Sequence, residues 1–169
     1  MSTHAYSRCW LHLVWGTHKR EGIFIPPIAA KVSTFLTDYS KKNGIYMKIN
    51  FVNTDHVHAL IDLPTNQTIE QIVKLLKGAS SHWINEQDLI VGKFAWGRGY
   101  GAFSVSQSGV DDVSAYIAGQ AEHHRLKSFS EEYKRFVEVY GLEWRNEETV
   151  KTVSASSTRP IPLVKTRGQ

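Results

Sequence analysis

Two histidines, His56 and His58, stand on either side of Val57 in the run Thr54-Asp55-His56-Val57-His58-Ala59-Leu60-Ile61. Side chains alternate across a strand, so both imidazoles project from one face while Val57, Ala59 and Ile61 make the opposite, core-facing row. Two neutral imidazoles a few ångströms apart are half of a metal site. Among eight histidines an H-x-H also arises by chance, and two surface histidines on a sheet are the plain alternative. A second group lies further on. At about 100° per residue, Tyr116, Gln120, His123 and Lys127 fall on one narrow helical stripe, beside a buried stripe of Val110, Val113, Ile117 and Ala121, with His124 leaning toward the apolar side. A phenol and a carboxamide one turn apart can face the same spot, the amide oxygen as a third metal ligand and the phenol oxygen as a nucleophile. The alternative here is a boundary tyrosine capping the core, with Gln120 solvated.

Periodicity and punctuation predict the elements that must position these residues. Residues 7–17 are β-prone and aromatic, with Trp10, Leu11, Leu13, Val14 and Trp15, and read as a strand partly covered on both faces. After Pro26 and Pro27, Ile28, Val32, Phe35, Leu36 and Tyr39 recur at helical spacing up to a stop at Asn43-Gly44. Strands at 46–52 and 56–63 flank Asn53-Thr54-Asp55 as a hairpin closed by Pro64. Residues 68–87 make an amphipathic second helix with Ile69, Ile72, Leu76, Ala79 and Trp83 on one stripe. The glycine-rich loop Trp96-Gly97-Arg98-Gly99-Tyr100 precedes a strand at 102–106, and helices are expected over 110–127 and 130–140. Strand, helix, strand, strand, helix, strand is the split βαβ order. It predicts an α+β, ferredoxin-like fold, an antiparallel sheet with helices on one face and the other face left for chemistry or a partner.

The 169 residues are 41% hydrophobic and 11% aromatic, which supports one core, suits one domain better than two, and excludes intrinsic disorder of the body. The single cysteine, Cys9, excludes a disulfide framework and a Cys-rich zinc site, and is expected as a small buried side chain in a reducing compartment. No run approaches the roughly 18 apolar residues of a membrane span and the start lacks an export pattern, so a cytoplasmic protein is expected. The formal charge is +4, from 20 basic and 16 acidic residues, but residues 1–148 carry 16 of each. The excess is Lys151, Arg159, Lys165 and Arg167, in a Ser/Thr/Pro-rich stretch without periodicity. The chain therefore divides into a single-domain body, 1–148, and a basic, flexible tail, 149–169. A polyanion would be held by a local patch on the body more than by overall charge.

Three linked segments carry a resemblance. Thr54 to Ile61, the Trp96–Ser106 run WGRGYGAFSVS, and Tyr116-Ile117-Ala118-Gly119-Gln120 followed by His123-His124 together resemble the single-tyrosine HUH transposases of the insertion-sequence-200-like family, a group that includes REP-associated tyrosine transposases. The likeness spans roughly residues 5–141. Gly97 stands where that family often has Gln, and Gly119 where Asn is common. The resemblance implies that His56, His58 and Gln120 bind a divalent ion, Mg²⁺ or Mn²⁺, and that Tyr116 attacks DNA to leave a 5′-phosphotyrosine and a free 3′-hydroxyl. The physical logic is that phosphodiester and nucleophile repel each other, so a cation on the non-bridging oxygen stabilises the developing charge. Single-stranded or hairpin DNA is the implied partner, with a homodimer sharing its sites, no membrane and no small-molecule substrate. Arg8, Lys19, Arg20, Lys74, Lys77, Arg98 and Lys127 are candidate phosphate contacts, with Trp96 and Tyr100 as aromatic faces for bases. The rival readings are another HUH endonuclease, of replication-initiator or relaxase type, and a non-catalytic or domesticated nucleic-acid-binding module on the same fold.

Overall fold

The segment Trp10–Gly16 forms the first strand, β1, and six of its seven residues are buried, a pattern that only a strand covered on both faces shows. The computed structural model describes residues 6–123 and 127–144, so the predicted tail at 149–169 and His124 lie outside the described residues. Helix α1 (Pro26–Lys42) opens on two prolines in its first turn, where the missing N–H groups cost nothing. Strands β2 (Tyr46–Val52) and β3 (His56–Asp62) make the expected hairpin. Helix α2 (Ile69–Glu86) starts on a capping box between Thr68 and Gln71. Strand β4 (Gly101–Val105) follows, then α3 (Val110–Ala118), the short α4 (Gln120–His123) and α5 (Phe129–Val139). No described helix is long and apolar enough to cross a membrane.

The four strands pair antiparallel in the order β2-β3-β1-β4, the ferredoxin-like arrangement of an α+β fold. Leu11, Leu13 and Trp15 of β1 and Val57, Ala59 and Ile61 of β3 share one face and pack against Val32, Leu36, Ile72 and Leu76 of α1 and α2. That is the main core.

The second face is not open, contrary to the sequence expectation. It carries Trp10, Val14, Leu60 and Phe103 as well as the histidines, and these apolar groups need cover. Val110, Ile117 and Tyr116 of α3 pack on Trp10 and Leu60, while Phe129, Tyr133 and Phe136 of α5 pack on Val14 and Phe103. The helix expected over 110–127 is also interrupted. At Gly119 the backbone leaves helical geometry (φ −83°, ψ 5°) and the chain restarts as α4. Cys9 is exposed rather than buried. It precedes the first paired residue of β1, where strand alternation does not yet govern, and it is held through its backbone, the N–H by Asp62 and the carbonyl by the Leu63 N–H, both at 2.8 Å.

Candidate active site

The register brings the site together on the second face. Val14 lies opposite His58, Gly16 opposite His56, and His12 opposite Leu60, so His12, His56 and His58 project into the same layer. His56 and His58 are fully buried and their rings meet edge to face with centroids 4.9 Å apart. Each is oriented through Nδ1. His56 Nδ1 donates to the Asp55 carboxylate at 2.6 Å, and His58 Nδ1 meets His12 Nε2 at 2.9 Å. Both contacts fix the rings, and donation from His56 Nδ1 to a carboxylate puts that ring's lone pair on Nε2, the arrangement that ligating histidines use. Burial lowers the pKa of His56 below its ordinary value, with the Asp55 hydrogen bond and charge opposing, and burial pushes His12 down to about 4. Both are neutral at pH 7.

Helices α3 to α5 close over these rings. Tyr116 sits edge-on to His58 and His12, with centroids 5.9 and 6.2 Å away, and its hydroxyl is buried without a hydrogen-bond partner among the described residues. Gln120, just past the Gly119 break, is fully buried. Its Nε2 donates to Glu132 Oε1 at 3.1 Å, which leaves Oε1 as a buried acceptor with no donor among the described residues. The structure thus gathers the four predicted residues in one buried cluster of a single chain, His56, His58 and Tyr116 by ring contacts and Gln120 through Glu132, which lies beside His58. His123 stays beside Tyr116 at 5.4 Å but is exposed.

Residues that the sequence reading did not single out complete the layer. Glu132 of α5 is buried, with Oε2 3.9 Å from His58 Nε2, and possible ligand atoms of His56, His58 and Glu132 lie within 4.8 Å of one another. Burial, then the nearby Asp55 charge, raises its pKa to about 7. Phe129 stacks flat on His56, with centroids 4.0 Å apart at 11°. The signal was present: Phe129, Glu132, Tyr133 and Phe136 form one helical stripe, and a carboxylate inside an apolar stripe needs a partner.

The cationic candidates scatter. Arg20 is not on an open surface: its guanidinium covers Phe129, Tyr133 and Trp144 at 5.1–5.9 Å and donates to Ser130 Oγ, fastening α5 to the β1–α1 connection. Lys77 Nζ donates to the Gly97 and Gly99 carbonyls at 2.8 and 2.9 Å, and its burial lowers its pKa. Lys77 thereby staples the glycine loop. Lys74, Lys77, Lys93 and Tyr100 line a groove on α2, the layer remote from the histidines. Arg8 pairs with Asp62 at 3.4 Å and lies over Trp10. Lys19, Arg98 and Lys127 are exposed. Trp96 is core rather than a base platform, packed on Trp15, Phe24 and Phe94, with its indole N–H donated to Ser80. Gly97 has a steric cause: a Cβ there would lie 2.8 Å from the Thr17 carbonyl oxygen, so a glutamine cannot enter this loop as it stands.

The profile of the family described as "Transposase IS200 like" matches residues 5–120. The ISDra2 transposase TnpA of Deinococcus radiodurans is 28% identical over 114 residues, covering 64% of this chain and 81% of the relative. A crystal structure from Deinococcus radiodurans R1, provisionally assigned as a transposase, superposes with TM-score 0.57 at 25% identity over 71% of this chain and 96% of the other. A REP-associated tyrosine transposase bound to a REP hairpin superposes with TM-score 0.54 over 95% of this chain and 99% of the other; at 14% identity that likeness shows the fold.

Proposed function

The chain belongs to the IS200-like transposase family, and from that premise we propose that it nicks and rejoins single-stranded, hairpin-flanked DNA through a covalent bond to Tyr116, with a divalent cation held by His56, His58 and Gln120. The observation that carries this reading is the meeting of two buried imidazoles, an amide oxygen without a donor among the described residues and a phenol in one buried cluster. These residues fit a cation. The Asp55 carboxylate accepts from His56 Nδ1, which leaves that ring's lone pair on Nε2, His12 Nε2 holds His58 through Nδ1, and the Gln120 oxygen has no hydrogen bond to lose among the described residues. The absence of thiolates disfavours structural zinc and suits Mg²⁺ or Mn²⁺. When bound, such an ion polarises a non-bridging phosphate oxygen and stabilises the charge that develops there.

The chain's own residues supply the rest. Tyr116 Oη forms the new bond to phosphorus as the bond to the departing 3′ oxygen breaks. The phenol gives up one proton and the 3′ oxygen takes one, so the step is proton-neutral. The phosphotyrosine keeps the energy of the diester, and the reverse attack by a 3′-hydroxyl rejoins the strand. His12 and Asp55 hold the imidazoles, and Phe129 and Phe136 shut water out of the pocket. Because one chain completes the four-residue set, the arrangement supports catalysis in cis, whether or not the protein forms a homodimer. The hairpin-bound state of the REP-associated relative supports a hairpin partner, and DNA as substrate fits a cytoplasmic setting.

The test is a labelled hairpin oligonucleotide from an element end, incubated with Mg²⁺ or Mn²⁺ and run on a denaturing gel. Wild type is expected to form a covalent adduct, and Tyr116→Phe none while still shifting DNA on a native gel. An adduct of equal yield in Tyr116→Phe, or none with wild type on any element-end DNA, overturns the mechanism.

A further inference from the structure

Resting on the cation site proposed above, we propose that Glu132 is a further, anionic ligand of that site, so that cation binding tightens the docking of α5. The two imidazoles and the amide make an electrically neutral donor set, and hard divalent ions favour carboxylate oxygen. Glu132 supplies one at the right place. Its Oε2 lies 3.9 Å from His58 Nε2, and the ligand atoms of His56, His58 and Glu132 all fall within 4.8 Å of one another. Ligands about 2.1 Å from a shared octahedral ion sit about 3 Å apart when adjacent, so the His58–Glu132 pair would close by about 1 Å and no pair by more than about 2 Å.

The same carboxylate has a second effect, on Gln120. The Gln120 –NH₂ faces Glu132 Oε1, the only arrangement open once the carboxyl is ionised and can only accept, and the amide oxygen is turned the other way. Glu132 therefore acts as ligand through one oxygen and as positioning group for Gln120 through the other. The element that carries it is built to land here. Phe129 stacks on His56, Phe136 meets His12 and Tyr116 edge-on, and Arg20 clamps the outer aromatic side of the helix. Without Glu132 these contacts would seat α5 but would not report whether the site is loaded. With it, a bound cation draws α5 onto the sheet.

The experiment uses the full chain and two readouts other than catalysis. Mn²⁺ is titrated into wild type, Glu132→Gln and His56→Ala, with free Mn²⁺ followed by electron paramagnetic resonance. Hydrogen exchange over residues 129–139 is then compared with and without Mg²⁺. Glu132→Gln keeps the acceptor for Gln120 and removes the charge, and it is expected to weaken Mn²⁺ at least tenfold and to abolish the Mg²⁺-dependent slowing of exchange in α5 that wild type shows. Glu132→Gln binding Mn²⁺ within twofold of wild type, while His56→Ala loses it, overturns the role of Glu132 and leaves the His–His–Gln site standing. Tighter binding by Glu132→Gln also overturns it and makes Glu132 an occluding plug. Mn²⁺ binding that is absent from wild type, or unchanged in His56→Ala, overturns both readings.

Discussion

Replacing Glu132 by Gln in metal-free protein should raise stability by an amount that depends on pH. The Glu132 carboxyl is buried and its pKa is lifted from 4.5 to about 7, first by burial and second by the Asp55 charge. Its neutral form is favoured in the fold. The stability it contributes is therefore full below pH 4.5 and is lost as the pH rises through about 7. At 1.36 kcal/mol per pKa unit the full loss would be about 3 kcal/mol, and residual hydration of the carboxylate brings it to about 2–3 kcal/mol. Glutamine does not titrate and still accepts the Gln120 hydrogen bond. The difference in unfolding free energy, variant minus wild type, should thus be flat below pH 4.5, grow through pH 5–7 and level off at about 2–3 kcal/mol. His12, whose pKa falls from 6.5 to about 4, contributes in the opposite sense: its stability is present above pH 6.5 and is lost as the pH falls through 4. His12 titrates in both proteins and cancels from the difference, as does His56. The assay is urea unfolding followed by tryptophan fluorescence at half-unit pH steps from 4 to 8.5 in excess chelator. A difference constant within about 0.5 kcal/mol across that range, or a variant less stable than wild type at pH 8, refutes the assignment of Glu132 as a buried, destabilised carboxylate.

Two other outcomes follow from the geometry. Gly97→Ala puts a methyl 2.8 Å from the Thr17 carbonyl, between backbone segments joined by the Gly97 to Gly16 hydrogen bond at 2.8 Å, so it should cost about 1–3 kcal/mol and lower the melting temperature by roughly 3–10 °C; an unchanged thermal melt would show that the loop yields freely. Mixing Tyr116→Phe with His56→Ala protein should restore no covalent adduct, because each chain joins its own tyrosine to its own histidine pair. Adduct formation by the mixture, after time for subunits to exchange, would show shared sites instead.

What the sequence made legible follows a physical line. Where one element's own period placed a residue, the reading held: the H-x-H alternation put both imidazoles on the face opposite Val57, Ala59 and Ile61; Tyr116 and Gln120 both reach the histidine layer, the first directly and the second through Glu132, although the helix breaks at Gly119. Where a distant segment decides the surroundings, it did not. The second sheet face looked open because the histidines dominated its reading, although Trp10, Val14 and Leu60 share that face and cannot stay in water. Cover had to come from α3 and α5, whose apolar stripes have no other sheet face to fill. The same reasoning explains the arginine and lysine candidates. Charge alone suggests phosphate, yet Arg20 finds three aromatic rings and a serine more than a hundred residues along the chain, and Lys77 finds two carbonyls in a glycine loop. Neither partner has a local signature. Glu132 combines both cases: its place inside the Phe129–Tyr133–Phe136 stripe marked it as a carboxylate bound for the interior, but only the fold shows that the interior it reaches is the histidine pair. Burial and the Asp55 charge hold the Glu132 carboxyl above its ordinary range, and a cation held beside His56 and His58 would offset the cost of ionising it. That cost, built into a helix that closes the pocket, is the reason to read α5 as part of the site and not merely as its roof.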